Sequence, residues 1–224
     1  MNTAMQQKRR KLVPEMEGPM ARWYARQRGS ASQLAAYRRQ AEDLTAGLAA
    51  GTAVLEVAPG PGYLAVEMAK LGRFSVAGLD ISRTMVQIAG ENARAAGVDV
   101  DFRHGDASAM PFAANSFDLI VCQAAFKNFV DPRAALDEMH RVLRPGGAAV
   151  VQDMNGDAGN ADVARAVAGM GLSRFNSAVT RSTLRFLRRR AYAGGDFARV
   201  VAGSAFKAGD VRADGIDLEV RLTK

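Results

Sequence analysis

Between Gly51 and Asp153 short apolar runs alternate with stretches of helical periodicity. That rhythm restricts the chain to βαβ units wound on a mostly parallel sheet. Val54–Val57 reads as the first strand, ended by the turn Ala58-Pro59-Gly60-Pro61-Gly62, with a helix from Tyr63 to about Leu71 that stops at Gly72. Phe74–Leu79 is the second strand. Ser82 is placed to cap a helix reaching about Ala96. Val98–Arg103 alternates as a third strand, and Phe117–Gln123 is apolar enough to be buried on both faces as a fourth. Pro132 suits the first turn of a helix to Leu143, ended by Pro145-Gly146-Gly147 before a fifth strand, Ala148–Asp153.

Outside this block the character changes. Residues 8–50 read as helical and rich in arginine, with Pro14, Gly18 and Pro19 marking an early break. After Asp153 a Gly/Asn/Asp linker leads to helical stretches 161–170 and 177–192. The strict alternation of Ile216–Leu222 predicts a last strand, antiparallel and paired with Lys207–Arg212 through a turn at Asp214-Gly215. The chain thus divides into an N-terminal helical lid, 1–50, and a sheet domain, 51–224, with an insert over 155–195.

No run of about 18 apolar residues is present, and Met1–Leu12 is polar and basic, without the apolar centre of a secretory signal. A cytoplasmic protein without a membrane span is expected. The single cysteine, Cys122, lies inside an apolar run, so neither disulfides nor a metal site are predicted. The net charge of +7 is unevenly spread. Residues 1–50 hold 9 Lys/Arg against 4 Asp/Glu, residues 51–154 hold 9 against 12, and residues 155–224 hold 12 against 7. Basic flanks around a mildly acidic centre suit an anionic partner, or simply keep an arginine-rich chain in solution.

Ligands of open α/β sheets sit at the carboxyl ends of the strands. There, Gly60 and Gly62 are free to take positive φ and let a ligand approach the backbone. Asp80 follows Gly62 by roughly 18 residues, about where an acid that binds ribose hydroxyls belongs. A nucleoside-containing cofactor follows. Gly60-x-Gly62-x-x-Ala65 also satisfies the fingerprint of nicotinamide dinucleotide enzymes. Glu56, close to the turn, would repel a pyrophosphate and suits a cationic, amino-acid-bearing cofactor better.

Five segments, Val54–Gly62, Gly78–Ser82, His104–Ala107, Ser116–Ile120 and Arg141–Gly147, stand in the order and spacing of class I S-adenosylmethionine-dependent methyltransferases. The chain resembles that family over about residues 50–154, and from Ala124 to Gly147 it is similar to the ubiquinone and menaquinone C-methyltransferase subgroup. The resemblance implies a doubly wound, Rossmann-like α/β fold with a seven-stranded, mostly parallel sheet whose last strand is antiparallel. It implies S-adenosylmethionine as cofactor and S-adenosylhomocysteine as product. Glu56 and the loop from Ala58 through Gly60 to Gly62 would hold the methionine end, Asp80 the ribose, and Asp106 with Ala107 the adenine. Ile81 and Met85 would flank the base, and Gln123 would line the methionine and substrate side. Ala58 stands where the family's first loop glycine is usual, which bears on a backbone contact at that position.

The acceptor should be enclosed by segments outside the sheet. Trp23, Tyr24 and Arg28 of the lid, Phe126 after the fourth strand, and Phe175 in the insert are the candidate substrate contacts. Nothing in the sequence assigns a general base, and positioning can supply much of the rate when the leaving group is already good. Three readings stand. The first is transfer of a methyl group to a small-molecule acceptor, for which the basic flanks suit an anionic one. The second is an RNA or protein methyltransferase using Lys8-Arg9-Arg10-Lys11 and Arg188-Arg189-Arg190 as phosphate contacts. The third is a non-catalytic cofactor-binding scaffold, with the NAD-dependent oxidoreductase more distant.

Overall fold

A computed structural model describes residues 15–170 and 174–224, with side chains from 176 onward in the second stretch. Two helices, α1 (Gly18–Arg28) and α2 (Ala31–Leu44), precede β1 (Ala53–Val57), α3 (Tyr63–Lys70), β2 (Ser75–Asp80), α4 (Arg83–Ala95), β3 (Asp101–His104) and β4 (Phe117–Gln123). A 3-10 turn over Phe126–Asn128 leads to α5 (Pro132–Val142) and β5 (Leu143–Met154). Then come α6 (Asn160–Gly169), α7 (Arg174–Arg188), α8 (Gly194–Ala202), β6 (Asp210–Asp214) and β7 (Asp217–Thr223). The strands form one 7-stranded sheet in the order β3-β2-β1-β4-β5-β7-β6. β1 to β5 pair in parallel, and β7 runs antiparallel to both β5 and β6, so only the last strand points the other way.

Alternation along each strand builds the two faces. Leu55, Val57, Ile120, Cys122, Val151 and Leu218 pack with α5 and α8 on one side. Val54, Leu119, Val121 and Val150 pack with Leu64 and Met68 of α3 and Ala41 of α2 on the other. The first side is aromatic at its upper end. Phe126 is fully buried and stacks on Phe197 at 4.7 Å between ring centroids, with Phe129 and Tyr192 at 5.2 and 5.7 Å.

The strand and helix pattern read from the sequence is present, with β6 shifted from Lys207–Arg212 to Asp210–Asp214 and four further differences. β3 is shorter than Val98–Arg103, because the Val98 amide still donates to the Ala93 carbonyl and the chain is wrapping the end of α4. β5 begins at Leu143, directly after α5, and the Pro145-Gly146-Gly147 segment makes an irregular entry with Gly146 at φ +81°. The predicted helix 177–192 ends at Arg188, and α8 follows unforeseen. Its paired glycines, Gly194 and Gly195, read as a breaker, whereas Phe197 and Val201, one turn apart, are buried and fasten it to the core.

The terminal helices take positions set by specific contacts. The Ala25 carbonyl accepts from the Tyr63 hydroxyl at 2.9 Å, and Met16 accepts from Ser82 at 2.7 Å, so α1 lies across the starts of α3 and α4 at the carboxyl edge of the sheet. Glu17 accepts from the amides of Arg83 and Thr84 at 2.8 and 3.1 Å, satisfying free donors of the first turn of α4. The insert leaves the sheet after β5 and returns to the same point, where the Gly156 amide donates to the Tyr192 carbonyl at 2.8 Å.

The aromatic cluster makes Phe126 a core residue. Phe126→Ala should lower stability by about 3–5 kcal/mol, read from chemical denaturation, while the folded fraction keeps its affinity for cofactor. A stability loss under about 1 kcal/mol would return Phe126 to the substrate wall.

Candidate active site

Two carboxylates define the ends of adjacent strands. Glu56 is the fourth residue of β1, buried, and its Oε2 accepts the Ala65 amide at 2.8 Å in the first turn of α3. The residue capping that helix is Gly62, which has no side chain, so Glu56 supplies the acceptor from the strand. Burial pushes the Glu56 carboxyl up to about 8, with the Ala65 bond opposing and the charge of Asp80 adding to the rise. Asp80 ends β2 and is also buried. Its Oδ2 accepts the Gly60 amide at 2.9 Å and its Oδ1 the Ser82 amide at 2.8 Å. Burial raises its carboxyl too, opposed by those two amides.

The turn between them has three left-handed residues, Ala58 at φ +58°, Gly60 at +54° and Gly62 at +76°. Ala58 adopts the conformation that a glycine takes without cost, at a penalty of roughly 1–2 kcal/mol for an L residue. Its amide donates to the Leu79 carbonyl at 2.7 Å and is committed to the sheet. The two glycines differ in kind. A Cβ on Gly62 would meet the Phe102 ring at 2.6 Å and Ala89 at 2.7 Å, so Gly62 is needed for packing. A Cβ on Gly60 would meet nothing within 4 Å; this position faces open space beside Asp80. Buried acids, a glycine opening and strand ends on one edge fit a cationic nucleoside cofactor.

Around this centre the other predicted residues divide. Ile81 is exposed just beyond β2, its carbonyl against His104 Nε2 at 3.1 Å. Asp106 is exposed and its Oδ1 accepts from the amide and hydroxyl of Ser108, both at 2.8 Å, in a local turn; Ala107 packs on the core beside it. Gln123 ends β4 and donates to Gln152 Oε1 at 2.9 Å. Met85 is buried with Ile88 against Ala21 and Ala25 of α1, in the first turn of α4. Arg28 is turned inward, donating through Nη2 and Nε to the Tyr37 hydroxyl at 2.6 and 3.0 Å. Tyr24 packs on the Met85 cluster, whereas Trp23 is 57% exposed on the outer side of α1. Phe175 falls on α7, but its side chain lies outside the described residues, as does Lys8-Arg9-Arg10-Lys11. Arg188 donates to the Ala158 carbonyl, which ties α7 to the insert's root.

Two features of the edge were not read from the sequence. Lys127 and Asp153 form a buried ion pair at 2.6 Å, joining the turn after β4 to the end of β5. Asp153 also accepts the Lys127 amide at 3.0 Å. An acid at the end of a strand was the available signal. The second feature is an amide hub: Gln152 Oε1 accepts from Gln40 of α2 at 2.8 Å as well as from Gln123, while its Nε2 donates to Glu219 of β7 at 2.7 Å. Beside the hub lies a polar cleft of about 450 Å³ between α2 and β7, lined by Arg39, Asp43, Glu219 and Arg221.

Residues 55–151 match the family described as a methyltransferase domain. The match covers less than half of the chain and supports a class I S-adenosylmethionine-dependent methyltransferase domain in that segment. A demethylmenaquinone methyltransferase of Renibacterium salmoninarum is 39% identical over 126 residues, 56% of this chain and 51% of the relative. The chain spans about half the length of that curated relative. Among solved structures, an S-adenosylmethionine-dependent methyltransferase from Aquifex aeolicus shares the fold, with a TM-score of 0.68 at 17% identity over 89% of this chain and 96% of that one. The [4+2]-cyclase SpnF is 30% identical, covering 57% of this chain and 48% of that chain, with a TM-score of 0.52. The match supports S-adenosylmethionine as the cofactor of this domain, with the Glu56–Asp80 edge as the candidate site.

The raised Glu56 carboxyl has a consequence for the methyltransferase without cofactor. A carboxyl that titrates near 8 when folded and about 4.3 when unfolded binds the proton more tightly in the folded state. Stability contributed by the neutral form is thus full below the unfolded value and declines as pH rises toward 8. Thermal unfolding from pH 5 to 9 should show this decline, and Glu56→Gln, which keeps an acceptor for the Ala65 amide, should flatten it.

Proposed function

We propose that the protein transfers a methyl group from S-adenosylmethionine to a small-molecule acceptor, quinone-like in character, and works in the cytoplasm. The observation that carries this reading is the pair of buried carboxylates around the open glycine turn, within a domain whose curated relative is a demethylmenaquinone methyltransferase. The buried free thiol of Cys122 accords with a reducing compartment.

The cofactor supplies an electrophilic methyl group on a sulfonium, with a neutral thioether as leaving group. Glu56 offers a carboxylate to the cationic methionine end, giving up the proton that burial otherwise retains. Asp80 keeps lone pairs toward the ribose hydroxyls while its amide bonds fix the turn. Gln123 is held by Gln152 and presents a fixed amide at the end of β4. Helix α1 above and the insert beside them reduce water at the edge, so orientation supplies the rate enhancement. The acceptor would lie between Gln123, the Lys127–Asp153 pair and these two covers.

A second reading, a protein that holds the cofactor without transferring its methyl group, has one observation behind it: the solved relative at 30% identity is described as a cyclase. Transfer to a panel of phenolic and quinone-like acceptors separates the two.

Calorimetric titration with S-adenosylmethionine and S-adenosylhomocysteine should show tight binding of both, and NADH should not bind. Asp80→Ala should weaken cofactor binding roughly 10- to 100-fold, the worth of hydrogen bonds to a charged acceptor. Binding of NADH alone would overturn the assignment.

A further inference from the structure

The large apolar side chains exposed among the described residues are Met20, Trp23, Ile81, Val130, Met170, Val179 and Phe186. Every one is on the carboxyl edge of the sheet or on the helices that cover it. Met20 and Trp23 belong to α1; Ile81 and Val130 follow β2 and β4; Met170, Val179 and Phe186 belong to the insert that leaves and re-enters at the end of β5. Charge is segregated in the same way. From Gly18 to Ala41 the chain has five arginines and no acidic residue, and from Val163 to Gly195 it has seven arginines and none.

Helix α7 concentrates both properties. Val179 and Phe186 are seven residues apart and therefore on one side of the helix, 52% and 62% exposed. Arg185 and Arg189, also exposed, flank Phe186. None of its described side chains is fully buried, although the helix has 15 residues. A basic helix that presents aliphatic and aromatic groups to solvent is built to lie in the plane of a lipid headgroup region, apolar groups inserted and arginines on phosphate. Trp23 on α1 has the amphipathic ring favoured at that depth. Nucleic acid would neutralise the arginines but leave Val179, Phe186 and Met170 in water.

We infer that the carboxyl edge, led by α7, docks on an anionic lipid bilayer surface. Docking there brings the mouth of the site to the layer in which an apolar acceptor dissolves. The inference rests on the proposed small-molecule reading only for that acceptor, and the surface itself is argued from exposure and charge. No described helix is long and apolar enough to cross a membrane, so the contact is peripheral.

The test is flotation of the full chain with vesicles of phosphatidylcholine, alone and mixed with phosphatidylglycerol. The protein should float with the mixed vesicles, scarcely with phosphatidylcholine alone, and lose binding as salt rises. Replacing Val179 and Phe186 by serine should cut vesicle affinity roughly tenfold or more with the charge unchanged. Arg185→Glu with Arg189→Glu should do the same, and neither variant should change affinity for S-adenosylhomocysteine. A wild-type protein that stays in the soluble fraction overturns the inference, as does a serine variant that floats like wild type. Binding of single-stranded RNA without flotation overturns it in favour of nucleic acid. Flotation without methyl transfer to any quinone-like acceptor upholds the docking and sinks the acceptor reading. Transfer to a soluble short-chain acceptor without flotation sinks the docking alone.

Discussion

The hydrogen bond from the Gly60 amide to Asp80 joins the turn after β1 to the end of β2, and the shape of the site depends on it. Neither partner is stable in this position alone. Asp80 is buried, and a buried carboxylate is costly unless donors surround it. The turn places residues 58, 60 and 62 in the left-handed region, where an alanine is strained. The carboxylate draws the turn in, and the turn supplies the amide that makes burial tolerable. Beneath both, the Phe102 ring occupies the room left by the missing side chains of Gly62 and Gly78. A conformation unfavourable residue by residue is thus held by contacts from three strands.

This interdependence explains what was legible in the sequence. The succession of strands and helices along the chain, the antiparallel last strand, Ser82 as a cap and the position of Asp80 all followed from local signals: apolar periodicity, turn residues and an acid at a strand end. Ser82 does accept the Met85 amide at 3.0 Å. Signals of that kind cannot say which side of a helix faces the sheet. Trp23 and Tyr24 are neighbours in sequence, yet one points to solvent and the other onto Met85. Phe126 and Lys127 are also neighbours; one fills the core and the other pairs with Asp153. The direction of each was settled by partners far along the chain.

The covering elements were the hardest to read for the same reason. Helices α1 and α2 have few fully buried residues, Ala21 and Ala25 in the first and Ala41 in the second. Small residues carry a weak hydrophobic pattern, so the sequence announces helices without announcing where they pack. Their placement comes instead from polar contacts at the edge, Glu17 on α4, Tyr63 on Ala25 and Arg28 on Tyr37.

The two faces of the sheet differ most at the carboxyl end. On the α5 and α8 side, Phe126, Tyr192 and Phe197 close the core with aromatic contacts. On the α2 side the same level holds Glu56, Gln123, Gln152 and Glu219, which alternate with the buried Val57, Cys122, Val151 and Val220 of the opposite face. A helix laid over such a row cannot bury apolar groups against it, and α2 meets it with Gln40, beside Arg39 and Asp43 in the cleft. Polar contacts of this kind exchange with water at a net cost of about 1 kcal/mol each. The apolar anchors of α2 are Ala41, Tyr37 and Leu44, packed against the α3 side. The helix is therefore fastened firmly along one flank and weakly along the other, and its weak flank borders Gln123.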